Sequence, residues 1–329
     1  GQGGINFNQN LTFNFKHFAA GAGEFPVSEV ETRAVVDYLF DRWNVFAVLT
    51  YGPSDNLAAP LKYSRNNQKG NIITGILQGD AKINAVVAGD FKKTMKLPKS
   101  AKQNLTAGGF MEWAHFHYGR YSFGTPGWYV PDWKMPKDSV ERLAFKEVKD
   151  GNADINFLRW AADQGMQNFF VNWTKVDHPD FPDHEVEVGG IAPYVMLNPP
   201  YNMVKNQVEP HLNFVKKLLG YRPQVKLVNT KVEKVSNDLW RVKASVMNDG
   251  FFATASDMGN RFNFVKRVKA TMELNDGQQF LSGQKVQLFG AMKGGTSNEL
   301  EWLINGNGTV TLTVGAPQCG VERMELELK

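Results

Sequence analysis

One cysteine, Cys319, stands in 329 residues, so no disulfide can form within the chain. That disfavours a small secreted domain held by disulfides, while leaving a bacterial periplasmic protein open. No apolar run approaches the ~20 residues that a bilayer-spanning helix needs, so a membrane span is not expected. No signal peptide is visible at the start. Because the chain opens on Gly1 instead of Met, that absence says nothing about targeting. Charge of one sign is scarce too: 37 Lys and Arg against 33 Asp and Glu leave a net +4. The densest basic run, Phe264-Val265-Lys266-Arg267-Val268-Lys269, alternates with apolar residues. Such alternation marks a strand with one wet face, and no nucleic-acid partner is expected.

What the chain does contain is an ordinary apolar share and many aromatic residues, with 23 Phe and 8 Trp. Its length predicts two domains with packed cores. Ser28 and Glu31 have the spacing of a capping box, which satisfies free amides at a helix start. Val30, Ala34, Val35, Tyr38, Leu39 and Trp43 come next at helical spacing and predict the buried face. Val45 to Tyr51 reads as a strand covered on both faces, as in a parallel sheet. Asp80 is placed to cap a second helix with Ile83, Val86, Val87 and Phe91 inward. Gly108-Gly109 precedes a short aromatic helix, Phe110 to Tyr118, and Tyr121-Ser122-Phe123 returns as a strand. This α/β rhythm continues with a helix over 152–165 and a last helix from Pro210 to Leu219, stopped by Gly220.

Past Pro223 the pattern becomes short period-two segments separated by Asn248-Asp249-Gly250, Asn275-Asp276-Gly277 and Asn305-Gly306-Asn307-Gly308. These predict an antiparallel β-sandwich of immunoglobulin-like size. The expected organisation is an α/β domain over 1–222 and an all-β antiparallel sandwich over 223–329.

Three blocks carry a family resemblance. The first is Gly4-Ile5-Asn6-Phe7-Asn8-Gln9-Asn10-Leu11, then Ser28-Glu29-Val30-Glu31-Thr32-Arg33, then the strand ending Thr50-Tyr51-Gly52-Pro53. The second is Asn104-Leu105-Thr106-Ala107-Gly108-Gly109-Phe110-Met111-Glu112-Trp113, followed by Tyr121-Ser122-Phe123. Phe170-Val171-Asn172-Trp173, Val186-Glu187-Val188-Gly189-Gly190 and Asn198-Pro199-Pro200 form the third. In this order they resemble the zinc metallocarboxypeptidases of the carboxypeptidase A-like type, in a bacterial branch. The first two blocks match G-V-D-L-N-R-N-F, S-E-x-E-T-x-A and Y-x-A-S-G-G-S-x-D-W. The resemblance implies a partial carboxypeptidase-like mixed sheet with flanking helices, lacking its N-terminal portion.

It also implies a chemistry that this chain does not carry. The family holds Zn²⁺ by two His and one Glu and leaves a position for water. The H-x-x-E motif that supplies two ligands would lie upstream of Gly4. The third ligand falls on Gly52, and the carboxylate-binding Arg falls on Gln9, which offers no charge for a bidentate clamp. The tyrosine that closes over substrate falls on Asn104, and the general base falls on Pro126 or Gly127. Only Asn8 keeps its identity. The resemblance with these losses implies a non-catalytic scaffold without a cofactor, zinc being the family's. It would bind a peptide or glycan through Asn8, Gln9, Asn104 and Trp128. The alternative is an active zinc carboxypeptidase that draws ligands from an N-terminal part or from displaced positions.

Rival sites exist. His184-Glu185-Val186-Glu187 is a literal H-x-x-E in extended context, and His178, Asp180, Asp183 and His184 form the densest run of potential ligands. His115 and His117 would face different directions on a helix. Tyr118, Tyr121, Trp128, Tyr129 and Trp133 would either stack a ligand along the old cleft or plug it. The N-x-[ST] sequences at Asn10, Asn104, Asn172 and Asn307 read as coincidence. A chain starting inside the family's sheet would expose a strand edge, expected to be covered by a homodimer mate or by missing N-terminal sequence. A secreted or periplasmic location is expected from the resemblance.

Overall fold

The computed structural model describes residues 4–70, 72–134 and 152–329. In chain order its elements begin with α1 (Val30–Phe40), β1 (Ala47–Tyr51), β2 (Gln68–Lys69), β3 (Ile72–Ile73), α2 (Gln78–Met95), α3 (Phe110–Phe116) and β4 (Tyr121–Thr125). Next are α4 (Ala153–Asp163), β5 (Phe170–Val176), β6 (Val186–Ile191) and α5 (Tyr201–Gly220). The C-terminal part holds β7 (Val225–Ser236), β8 (Leu239–Asn248), α6 (Asp257–Arg261), β9 (Val268–Glu273), β10 (Gln279–Ser282) and β11 (Val286–Phe289). It ends with β12 (Ser297–Asn305), β13 (Gly308–Ala316) and β14 (Gly320–Leu328). The fold is α/β followed by an all-β antiparallel sandwich. By contacts the chain forms two compact units: residues 1–89, 103–125 and 215–329, and residues 90–102 with 126–214.

In the first unit, β1 and β4 form a parallel pair in the register Ala47↔Tyr121 to Tyr51↔Thr125. Among the described residues this pair is the whole parallel sheet. β4 is buried throughout, whereas β1 is only half-buried and its last residue, Tyr51, is exposed, short of the two-sided burial expected. β4 is supported instead by a side chain. The Asn56 amide donates to the Ser122 carbonyl (2.9 Å) and accepts from the Gly124 amide (3.0 Å), as a neighbouring strand would.

α1 differs from its sequence pattern. Glu29, not Ser28, is the N-cap and makes no side-chain cap bond, while Ser28 Oγ bonds Asn10 and Glu29. The buried residues are Thr32 and Val36; Val30 is 73% exposed and Tyr38 59%. The most continuous apolar stripe is therefore not the buried one. The helix rests on Trp113 and Tyr118 through Val36, Leu39 and Phe40, whose ring meets both aromatics edge-on. Asp80 lies in the first turn of α2, but its carboxylate bonds the start of α6, and Val87 and Phe91 are buried while Val86 is exposed.

The sandwich pairs sheet β10-β12-β8-β7 with sheet β11-β9-β13-β14, all antiparallel. Alternation builds its core: Leu300, Trp302 and Ile304 on β12 are buried while Glu299 and Glu301 between them are exposed. Each large side chain fully buried this way contributes about 1.5–3 kcal/mol. Asn275-Asp276-Gly277 and Asn305-Gly306-Asn307 link strands of opposite sheets, so these turns are crossings between layers rather than hairpins. Asn248-Asp249-Gly250 opens an excursion that carries α6 and docks on the α/β part. Phe252 enters a cluster of Phe46, Tyr121, Phe123 and Tyr221, Ser256 Oγ donates to the Gly119 carbonyl (2.9 Å), and Arg120 donates to the Phe264 carbonyl (3.0 Å).

In the second unit, α4 buries Phe157, Trp160 and Ala161 against Trp128. β5 and β6 form a two-stranded antiparallel pair with a bulge at Asn172-Trp173, opposite Gly189, where any side chain would strike the Trp173 backbone. The helix expected from Pro210 is α5, which begins in this unit nine residues before Pro210 and contains it; the initiating signal is the preceding Pro199-Pro200. Among the described residues no helix is long and apolar enough to cross a membrane.

Candidate functional site

Ligands of parallel sheets gather at the carboxyl ends of the strands. Here those ends are Tyr51-Gly52 and Thr125, joined by a hydrogen bond from the Gly52 amide to the Thr125 carbonyl (3.0 Å). Against them lies the start of α3, and local sequence explains its shape. Gly108 has φ +70°, and a Cβ there would collide with the Gln9 carbonyl. This close approach lets the Leu11 amide reach the Gly108 carbonyl (3.0 Å) and the Gly108 amide reach that of Phe13 (2.8 Å). Gly109 leaves room for the Glu112 carboxylate, which folds back over the helix start.

The residues singled out from sequence lie in three places. Asn8 is next to Gly52, its Nδ2 lying 3.7 Å from the place of a Cβ there, and its Oδ1 accepts from the Phe110 amide (3.2 Å) at the start of α3. Asn104 forms an isolated bridge with Asp55 and donates through Nδ2 to the Pro53 carbonyl (2.5 Å). Gln9 points toward Gly21, where its Oε1 lies 2.8 Å from a Cβ position. The structure thus brings Asn8, Gly52 and Asn104 to one end of the sheet. Trp128 belongs to the second unit and is 6% exposed, in the cluster with Phe157 and Trp160, so it offers no open ring face. Tyr118 and Tyr121 are buried as well, while Tyr129 and Trp133 are half-buried, with the Arg159 guanidinium over the Trp133 ring at 4.8 Å; three of the five aromatics in the run thus offer no open face.

A zinc ion of the family type does not fit these residues. Gly52 supplies no donor, and the neighbouring Asn8 oxygen already accepts a backbone hydrogen bond. Among the described residues no three His, Cys, Asp or Glu side chains are grouped closely enough to hold a metal. His178 Nδ1 accepts from the Asp180 amide (3.2 Å), and Glu185 pairs with Lys175, so the H-x-x-E region is not assembled into a ligand set.

Beside the strand ends, loop 103–107 also forms the wall of a cavity of about 760 Å³. This is within the range of small-ligand pockets. Its apolar lining includes Phe13 and Phe116, stacked at 3.8 Å, with Leu61, Ile76 and Met111. Glu112 and His115, one turn apart on α3, face it with Asn56 and Ser122, and Lys16 and Lys62 are exposed members of the lining. Glu112 accepts from the Thr106 amide (2.7 Å) and from Ser54 Oγ (2.9 Å). Burial raises its pKa, and these bonds pull it part of the way back. Sequence reasoning passed over Ser54-Asp55-Asn56. Three small polar residues directly after a strand were the available signal, and all three are buried and bonded.

Residues 224–327 match a family described as Domain of unknown function (DUF8731). No curated protein matches the chain. Solved structures with some likeness include β-glucosidase 3B from Thermotoga neapolitana, at 14% identity and TM-score 0.19, over 32% of this chain and 16% of that one. A GH3 β-glucosidase from Bifidobacterium adolescentis gives 16% identity and TM-score 0.18, over 32% of this chain and 17% of that one. The secreted serine protease VesC from Vibrio cholerae gives 12% and 0.21, over 35% and 25%. Likeness at this level carries no argument about fold or activity.

Proposed function

We propose that this protein is a non-catalytic binding module on a carboxypeptidase-like scaffold, taking a peptide ligand in the cavity beside the strand ends. The observation that carries the reading is how the polar groups there are used. Asn8 caps α3, Asn104 holds the Pro53 carbonyl, and both Glu112 oxygens accept protein hydrogen bonds. Groups committed to holding loops are poorly placed to activate water, which needs a base within hydrogen-bond reach of it. The cavity between them stays open, with mixed apolar and polar walls suited to a side chain and its flanking amides. Burial of Trp128, Tyr118 and Tyr121 supports a peptide over a glycan, because stacking on sugar rings needs exposed aromatic faces.

The test combines elemental analysis of protein reconstituted with zinc, an assay for release of C-terminal residues from a peptide library, and thermal-shift screening of the same peptides. Zinc at background, no hydrolysis and a saturable thermal shift are expected. Stoichiometric zinc with hydrolysis would overturn the reading in favour of an active carboxypeptidase.

A further inference from the structure

Asp80, 3% exposed, stands where three helices meet. From the first turn of α2 its Oδ1 accepts from the Asp257 amide (2.8 Å) and its Oδ2 from the Met258 amide (3.1 Å), at the start of α6 in the sandwich excursion. Asp257 answers by accepting from the Gly79 amide (2.8 Å). On the third side His115 of α3, also buried, places Nε2 3.6 Å from Asp80 Oδ2. The other ring nitrogen, Nδ1, lies 3.2 Å from the Arg120 carbonyl. A carbonyl only accepts, so Nδ1 carries a hydrogen. In a neutral ring Nε2 would then be a bare lone pair facing a carboxylate. It is buried and has no hydrogen-bond partner among the described residues. Two electron-rich atoms would oppose each other where no water screens them.

We propose that Asp80 and His115 hold one proton between them, and that this shared proton fastens α3, the wall of the cavity, to the β-sandwich. On Nε2 the proton makes an imidazolium against a carboxylate; on Oδ2 it makes a carboxylic acid donating to the ring. Both arrangements remove the conflict, and the pair titrates as a unit. The inference holds whatever the cavity binds.

The other groups around the pair are Asp257 on α6, Tyr121 on β4, Arg120 in the α3–β4 turn and Glu112 on α3. Burial is the largest influence on Asp80 and raises its pKa, and the Asp257 charge adds to this, while His115 and the two backbone amides oppose it. With Nδ1 bound to a carbonyl and Nε2 buried against the carboxylate, the shared proton stays in place where an open chain gives it up. Unfolded, the aspartate is ionised from about pH 4 and the histidine releases its proton near pH 6.5. Above about pH 6.5 the folded state binds one proton more than the unfolded state. Stability then falls as pH rises, by up to about tenfold in the folding equilibrium per pH unit, until the folded pair lets its proton go.

The experiment is urea unfolding of the whole chain from pH 6 to pH 9, for the native protein and His115→Gln. The glutamine amide donates to the Asp80 carboxylate without a borrowed proton and leaves the bonds from the Asp257 and Met258 amides in place, so the variant is expected to lose about one proton's worth of slope between pH 7 and pH 9. Parallel slopes would overturn the proposal. Nitrogen NMR of the His115 ring in the native protein gives a second readout should the variant not fold. A proton on both nitrogens at pH 8, or a protonated Nδ1 with Nε2 shifted by an accepted hydrogen bond, is expected. A free Nε2 that titrates as in an exposed histidine refutes it.

Discussion

Replacing Phe252 by alanine tests whether the β-sandwich and the α/β part unfold as one body. Phe252 comes from the excursion between β8 and α6, is fully buried, and meets Tyr121 at 4.6 Å, Tyr221 at 5.8 Å, Phe123 at 6.1 Å and Phe46 at 6.2 Å between ring centroids. Its backbone is pinned independently, the amide to the Tyr221 carbonyl (2.9 Å) and the carbonyl to Asn248 Nδ2 (2.8 Å). The loop therefore has little freedom to collapse into the space left behind. Truncation of a buried Phe costs about 3–5 kcal/mol, with the upper end expected where the site cannot relax. For a body of this size that corresponds to a fall of about 6–20 °C in Tm. Scanning calorimetry and urea unfolding followed by tryptophan fluorescence measure it, with Phe251→Ala as the control. Phe251 is the exposed neighbour, and its loss should cost under about 1 kcal/mol. A loss below about 1 kcal/mol for Phe252→Ala would refute the reasoning, as would a sandwich transition unmoved beside a shifted second one.

Single sites give further expected outcomes. Asn10→Ala removes a buried amide that donates to Ala22, Phe25 and Ser28 and accepts from the Glu29 amide, and should cost about 2–3 kcal/mol in urea unfolding. Gly119→Ala combines φ +71° with a Cβ 2.7 Å from Phe264 Cβ and 2.8 Å from Gly259 Cα, and should exceed about 2 kcal/mol. Gly70→Ala, at φ +61° in open space, should cost only about 1 kcal/mol; equal losses at the two glycines would show that the packing is not felt. Leu105→Trp adds bulk at an exposed position of the cavity wall and should weaken peptide binding at least tenfold by calorimetry, with the unfolding midpoint little changed. Gln9→Ala should leave that binding intact, since its side chain turns toward Gly21.

Local patterns were readable and distant ones were not. The β1, α3 and β4 segments and the alternating strands of the sandwich arise from periodicity and from glycines whose reason is within a few residues. The α1 face escapes periodicity, which reports how apolar a stripe is, not which stripe finds a partner. Val36 is buried because Trp113 and Tyr118 lie opposite it, about eighty positions later in the chain. The Asn248-Asp249-Gly250 turn misleads for a similar reason. Its composition fits a hairpin, yet the segment after it is shaped by the surface it meets, through Phe252 and α6.

The candidate site divides along the same line. Asn8 and Asn104 were found as positions, but their hydrogen bonds run to Phe110, 102 residues away, and to Pro53, 51 away. Only those bonds reveal that the two amides hold loops in place. Asp80 is the sharper case. An aspartate in the first turn of a helix has a sufficient local explanation, because it complements the amides and dipole there. That explanation ends the search before His115, 35 residues on, and Met258, 178 on, come into view. The carboxylate fits α2 by sequence, but its bonds go to α6, and its unshielded lone pairs face α3. A buried acid that satisfies a local rule and a distant geometry together is legible only once both partners are seen, and the proton it keeps is a consequence of the second.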